Sequence, residues 1–158
     1  MVISPDAGGV ARAKHFRDGL ASIGVECGVA MIIKQRVAAG VVGTTDLVGE
    51  VDGCDCIIVD DMIDTAGTLC AAAKELKDFG AQRVFAFATH GLFNGPGAQR
   101  IEDSVMENVV VANTIPLAPH ISKTTKKIRQ ISVGPLVAEV ISRIHSRQST
   151  SEVWGKEI

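Results

Sequence analysis

Apolar residues in this chain fall into short runs bounded by Gly, Pro, Asp and Asn, with longer segments of mixed polarity between them. Met1–Ser4 (MVIS), Val29–Ile33 (VAMII), Cys56–Val59 (CIIV), Arg83–Thr89 (RVFAFAT) and Asn108–Ala112 (NVVVA) are too short for helices and suit buried parallel strands. A helix is expected over Val10–Ile23, with Val10, Phe16, Leu20 and Ile23 on one side and Arg12, Lys14 and Arg17 facing mostly elsewhere. A second runs from Leu69 to Phe79 and is stopped by Gly80. A short one over Ala98–Asp103 follows the glycine-rich Leu92–Gly97, and Gly134–Ser146 reads as a closing amphipathic helix. Asp46–Val51 alternates like a hairpin arm with Asp52-Gly53 as its turn, and Lys127–Ser132 resembles an edge strand. Together these elements predict an α/β fold: a doubly wound, mostly parallel five-stranded sheet with helices on both faces and right-handed crossovers.

Composition supports one domain over residues 1–148, followed by a tail, 149–158. The 158 residues are enough for a real core, and with 46% hydrophobic but only 4% aromatic residues that core must be Val, Ile, Ala and Leu. A net charge of −2 carries no nucleic-acid or membrane-surface signature. No apolar run approaches a membrane span, and no signal peptide is visible. Cys54-x-Cys56 lacks the spacing of a zinc or redox pair, so Cys27, Cys54, Cys56 and Cys70 read as reduced and structural, as expected in the cytoplasm.

Candidate chemistry concentrates in Cys56-Ile-Ile-Val-Asp60-Asp61-Met-Ile-Asp64-Thr65-Ala66-Gly67-Thr68-Leu69. A strand ends on two carboxylates, and a loop of small and hydroxylic residues then leads into a helix. The loop amides and the helix dipole attract a phosphate. Asp60 and Asp61 would repel one, so their partners are sugar hydroxyls or a divalent cation bridging to the phosphate. Single aspartates after strands are ordinary caps, but this concentration of acids, threonines and a glycine points to a site for a phosphorylated sugar. Asp6, in the turn Ser4-Pro5-Asp6-Ala-Gly8-Gly9, either caps the first helix or shares the ligand crevice with Asp60, since such loops meet at one edge of an open parallel sheet. Lys34 and Arg36, at the root of the small-residue stretch Val37–Thr45, are either surface charges or cations on a flap that closes over anions. His90, at a strand end, is as readily a local hydrogen-bonder as a catalyst. Lys123, Lys126, Lys127 and Arg129 read as a solvated face, and Trp154 as a docking residue in the tail.

The stretch Val59-Asp60-Asp61-Met-Ile-Asp64-Thr65-Ala-Gly67-Thr68 resembles the ribose-phosphate-binding signature of type I phosphoribosyltransferase folds. With Ser4–Gly9, Thr89-His90-Gly91-Leu-Phe, Gly95-Pro96, Asn113–Pro116 and the Ser149–Trp154 tail, almost the whole chain is similar to the C-terminal half of the ribose-phosphate pyrophosphokinase family. The resemblance implies transfer of the diphosphate of Mg-ATP to C1 of ribose 5-phosphate, giving phosphoribosyl pyrophosphate for nucleotide biosynthesis. It implies that Asp64, Thr65, Ala66, Gly67 and Thr68 hold the 5-phosphate and that Asp60 and Asp61 lie beneath the ribose. It further implies that Asp6 helps hold Mg2+, that Lys34 and Arg36 stabilise the transferred diphosphate, and that Ser149 and Ser151 line an allosteric site for phosphate or ADP between subunits of a homo-oligomer. A further half of similar fold would supply the ATP contacts, and this half alone is expected to bind ribose 5-phosphate but to catalyse poorly. Two rival readings share the motif: a phosphoribosyltransferase that consumes phosphoribosyl pyrophosphate, for which no base-binding hood is legible, and a non-catalytic regulatory subunit of a synthetase complex.

Overall fold

The computed structural model describes residues 1–34 and 45–154. Its centre is a seven-stranded sheet made of β1 (Val2–Ser4), β2 (Val29–Lys34), β3 (Thr45–Val48), β4 (Asp55–Ile63), β5 (Arg83–Gly91), β6 (Asn108–Ala112) and β7 (Ile128–Ile131). The order across the sheet is β3-β2-β1-β4-β5-β6-β7. Every neighbouring pair is parallel except β2 and β3. The five strands expected from the apolar runs form the middle of the sheet. The segments read as a hairpin arm and an edge strand add the two outer strands and raise the count to seven.

Among the described residues four helices connect strands, α1 (Val10–Ser22), α2 (Gly67–Asp78), α3 (Gly97–Glu102) and α4 (Ile121–Thr124), and a fifth, α5 (Gly134–His145), follows β7. Alternation along the strands sends side chains to two cores. Ile3, Cys56, Ile58, Val84, Ala86, Ala88, Val109 and Val111 meet α2 through Leu69, Ala72, Ala73 and Leu76, α3 through Ala98 and Ile101, and α4 through Ile121. Val2, Val59, Ile57 and Phe87 point the other way, onto Ala13, Phe16 and Leu20 of α1. There the rings of Phe16 and Phe87 lie 5.4 Å apart, a tilted aromatic pair. The aliphatic core demanded by the composition is thus split by the sheet.

Three elements depart from the sequence reading. β4 continues through Asp60 and Asp61 to Ile63, because those residues keep their parallel register with β5 (Asp60 opposite Ala88, Met62 opposite His90). The acids are therefore mounted on the rigid end of a strand. α5 is amphipathic as expected, but it does not close the core: none of its residues is buried, and Leu136, Val137, Ile141 and Ile144 are exposed. The tail is instead fastened to α5, through Arg143, which donates to Ser149 O and pairs with Glu139 and Glu152. All four cysteines are free thiols, and burial pushes the Cys56 and Cys70 thiols up from their ordinary values. Among the described residues no helix is long and apolar enough to cross a membrane.

Candidate sugar-phosphate site

β1 feeds β2 on one side and, later in the chain, pairs with β4 on the other. The loops after β1 and β4 therefore leave the sheet in opposite senses and open a crevice at their carboxyl ends, the place where open parallel sheets bind ligands. A polar cleft of about 410 Å³ occupies this point, lined by Asp6, by Asp60, Asp61 and Asp64 and by the loop from Thr65 to Leu69. The strand topology thus brings Asp6 to the central motif across most of the first half of the chain.

The loop is shaped for an anion. Ala66 sits in the left-handed region (φ 59°, ψ 7°) and is the N-cap of α2, whose first turn starts at Gly67. A left-handed residue followed by a right-handed one turns successive N–H groups towards a common point, forming an anion-binding concavity. No side chain caps α2, so its leading amides, at the positive end of the helix dipole, are left to face the cleft.

The acids are not isolated. Arg12 of α1 reaches over the strand end, with Nη1 2.9 Å from Asp60 Oδ1 and Nη2 3.2 Å from Asp61 Oδ2. Asp60 also accepts the Asp61 amide, and Asp61 accepts the Met62 amide. Burial is the main cause that pushes the Asp60 carboxyl above its ordinary value, with repulsion from Asp61 adding to it. At Asp61 desolvation also works upward, but a hydrogen bond from Asp60 whenever that carboxyl carries the proton of the pair, the bond from the Met62 amide and the Arg12 charge outweigh it, and the carboxyl sits low. One of two adjacent carboxylates is thus held ionised while the other is ionised at a cost.

Asp6 accepts the Gly9 amide through Oδ1 (2.9 Å), while Ser4 Oγ donates to its carbonyl (2.6 Å). It braces the turn and still lies on the cleft wall, so both roles foreseen for it are compatible. Among the described residues no three His, Cys, Asp or Glu side chains converge on a metal position. A magnesium ion shared with a substrate phosphate would need only one or two carboxylates, and Asp6, Asp60 and Asp61 are the carboxylates on this cleft wall that could offer them.

Behind the loop stands the segment after β5. Asn94 Nδ2 donates to Asp64 Oδ1 at 2.7 Å, and Arg100 Nη1 donates to Thr65 O at 3.0 Å. His90 does local work. Thr114 Oγ1 gives its single proton to Thr89 O (2.9 Å), so at the 2.8 Å contact His90 Nδ1 must be the donor to Thr114. Ser149 and Ser151 hydrogen-bond each other at 2.6 Å on an exposed part of the tail, away from the cleft lining. Lys34 ends β2 on the same edge of the sheet as the cleft, three residues beyond Met31, the partner of Ser4. Arg36 lies outside the described residues, as does most of the stretch read as a flap.

Arg12, Asn94 and Arg100 were not foreseen as site residues. For Arg12 a signal existed: it lies in the first turn of the helix that follows β1, beside the switch point, where a cation must face the motif's acids.

The profile of the family described as Phosphoribosyl synthetase-associated domain matches residues 22–155. The chain belongs to this family. It is 44% identical over 155 residues to the ribose-phosphate pyrophosphokinases of Shewanella oneidensis and Vibrio cholerae, covering 98% of this chain and 48% of each of those proteins. Among solved structures, the phosphoribosylpyrophosphate synthetase of Mycobacterium smegmatis superposes with a TM-score of 0.78 at 36% identity, covering 92% of this chain and 45% of that one. The chain therefore spans about half the length of the curated relatives it matches. The region shared with them includes the Asp60–Thr68 motif and the loops that surround it.

Proposed function

We propose that this chain supplies the ribose-5-phosphate-binding half of a ribose-phosphate diphosphokinase, an enzyme that passes the diphosphate of Mg-ATP to C1 of ribose 5-phosphate. The observation that carries this reading is the joining, in one cleft at the switch point, of an uncapped helix N-terminus for a phosphate and a half-buried carboxylate for sugar hydroxyls. The loop from Asp64 to Thr68 takes the 5-phosphate through its amides and threonine hydroxyls. Asp60, with Asp61 beside it, accepts the ribose hydroxyls, and the distance between loop and strand end sets which sugar phosphates fit.

In the reaction the C1 oxygen of ribose bonds to the β-phosphorus of ATP as the bond from that phosphorus to the AMP oxygen breaks, and the hydroxyl proton leaves to solvent. Little covalent work falls to protein in such transfers, which depend on alignment and neutralisation of charge. Magnesium, when bound, neutralises and aligns the phosphate oxygens, and Asp6 is the residue that would hold it. Lys34 and Arg36 stand for the cations that would stabilise charge on the transferred diphosphate. ATP contacts from a further domain, a homo-oligomeric assembly, cytoplasmic residence, and regulation by phosphate or ADP at Ser149 and Ser151 complete the proposal and follow from the family.

Calorimetric titration of ribose 5-phosphate with magnesium, into the wild type and into Asp60→Ala, tests it. Binding by the wild type that the substitution abolishes is the expected result. A folded wild type that binds neither ribose 5-phosphate nor inorganic phosphate would overturn the reading.

A further inference from the structure

The phosphate loop is gripped from behind, and the grip falls on its carbonyl oxygens. Ile63 O accepts the amides of Leu92 (2.9 Å) and Phe93 (3.2 Å). A Cβ added at Gly97 would lie 2.9 Å from Asp64 O, so the first turn of α3 abuts that carbonyl. Thr65 O accepts Nη1 of Arg100 at 3.0 Å. Three successive carbonyls are therefore turned towards the segment 92–100. In a trans peptide the C=O and the following N–H point in opposite directions, and no cis peptide occurs among the described residues. The N–H groups of Asp64, Thr65 and Ala66 are consequently turned away from that segment, on the side where these residues line the cleft.

We propose that Arg100 is a positioning residue for phosphate binding: by holding Thr65 O it fixes the peptide plane that presents the Ala66 N–H to the anion. The inference rests on the reading of this loop as a phosphate site. Among the contacts just described, Arg100 alone uses a side chain to orient a peptide plane. The others act through backbone or through a side chain of the loop, as Asn94 does at Asp64. The plane it holds is also the one that needs holding. Ala66 carries a left-handed φ that an alanine does not adopt unaided, and a peptide free to flip would relax towards a different geometry. Arg100 lies close over the start of α2, since a Cβ at Gly67 would stand in ordinary contact with its Nη1, at 3.4 Å. Arg100 thus acts on the ligand only through the loop, from an exposed position on the far side of it.

The test compares the wild type with Arg100→Met, which keeps the stem but loses the donors, and Arg100→Lys, which keeps a charged donor. Two quantities are read: dissociation constants for ribose 5-phosphate and for inorganic phosphate, and amide hydrogen exchange across residues 64–68. We expect Arg100→Met to bind both ligands roughly tenfold more weakly, the factor that about 1.4 kcal/mol represents and within reach of a hydrogen bond from a charged donor. Exchange should accelerate at residues 64–68 and remain unchanged in the middle of β5, with Arg100→Lys recovering part of both effects. Arg100→Gln serves in its place if the methionine variant aggregates. Wild-type affinity together with unchanged exchange in the Met or Gln variant would overturn the inference. A wild type that fails to bind either ligand would defeat the phosphate-site reading instead, and the exchange pattern would still decide whether Arg100 holds the loop.

Discussion

Replacing Ala66 by Gly tests the geometry on which the site depends, because alanine-to-glycine changes normally cost stability and this one should not. In the middle of α2, Ala73 is fully buried. There Ala73→Gly loses about 1 kcal/mol of helix propensity and about 0.8 kcal/mol of methyl burial, near 2 kcal/mol together. Ala66 is also buried, and its methyl packs in the same core, so the burial loss is similar. Its backbone, however, stands at φ 59°, a conformation that costs an L-residue roughly 1–2 kcal/mol and glycine almost nothing. Relief of that strain offsets the lost methyl and the roughly 0.4–1 kcal/mol of extra unfolded-state entropy, leaving a net change near zero. Urea titration followed by circular dichroism reads the difference. With a slope of about 2 kcal/mol per molar, Ala73→Gly should lower the midpoint by roughly 1 M relative to Ala66→Gly. Equal losses at the two positions would refute the left-handed cap. Ala66→Val should be worse than either, since a β-branched residue fits the left-handed region poorly.

Arg12→Met should cost about 1 kcal/mol or less at neutral pH, because the pairs it breaks are about one-third or more exposed; its sharper signature is an upward move of both the Asp60 and Asp61 titrations by NMR, since the Arg12 charge lowers each. Asp60→Asn should raise stability while abolishing sugar-phosphate binding. A carboxyl whose folded pKa is raised contributes stability below its unfolded value and withdraws it as pH climbs through the folded one, so the gain should appear near about pH 7 and vanish towards about pH 4. By the same sign, ribose 5-phosphate affinity in the wild type should fall with decreasing pH earlier than an ordinary aspartate would allow, and a stability gain for Asp60→Asn at low pH alone would contradict this. Gly80→Ala should destabilise by about 1–2 kcal/mol, read as a lowered thermal midpoint, because Gly80 has φ +91°, a backbone conformation costly to an L-residue, while the exposed Asp52 carboxylate beside it can swing clear of an added Cβ.

The layer architecture was legible because strands buried on both faces leave a strong mark. Apolar runs such as Asn108–Ala112 and Arg83–Thr89 became β6 and β5 almost residue for residue. The marginal elements were harder to place. Thr45–Val48 and Ile128–Ile131 lie at the sheet's edges, Asp46, Val48 and most of Ile128–Ile131 are exposed, and both segments show the mixed polarity of a loop. The continuation of β4 through Asp60 was hidden for a related reason: two charged residues read as the end of a strand, whereas here the ladder with β5 carries them past the core. α5 misled in the opposite way. Its period of apolar residues is real, but a period records only that a helix has an apolar side and not what covers it; Ile141 and Ile144 remain 61% and 64% exposed.

In the site itself, the legible residues are those whose chemistry stands in the motif, and the missed ones act across the chain. Asp60 to Thr68 occupy one continuous stretch, so strand, acids and loop announce themselves together. Arg12 lies 48 positions from Asp60, and Arg100 lies 35 from Thr65; each reaches the motif only because β1 and β5 flank β4 in the sheet. The two cations divide the work by side. Arg12 stands at the strand end and sets the charge of the acids, while Arg100 stands behind the loop and sets the direction of its amides. For Arg12 the only sequence signal is its place in the first turn after β1, and Arg100 has none, since a lone arginine on a helix is ordinarily a solvated surface residue. The burden on them follows from the motif, which places a left-handed alanine and two adjacent carboxylates, all unfavourable in isolation, on one turn of chain. Such a turn persists only where neighbouring elements over-determine it, so the residues that escape a linear reading are those that hold this strained turn in place.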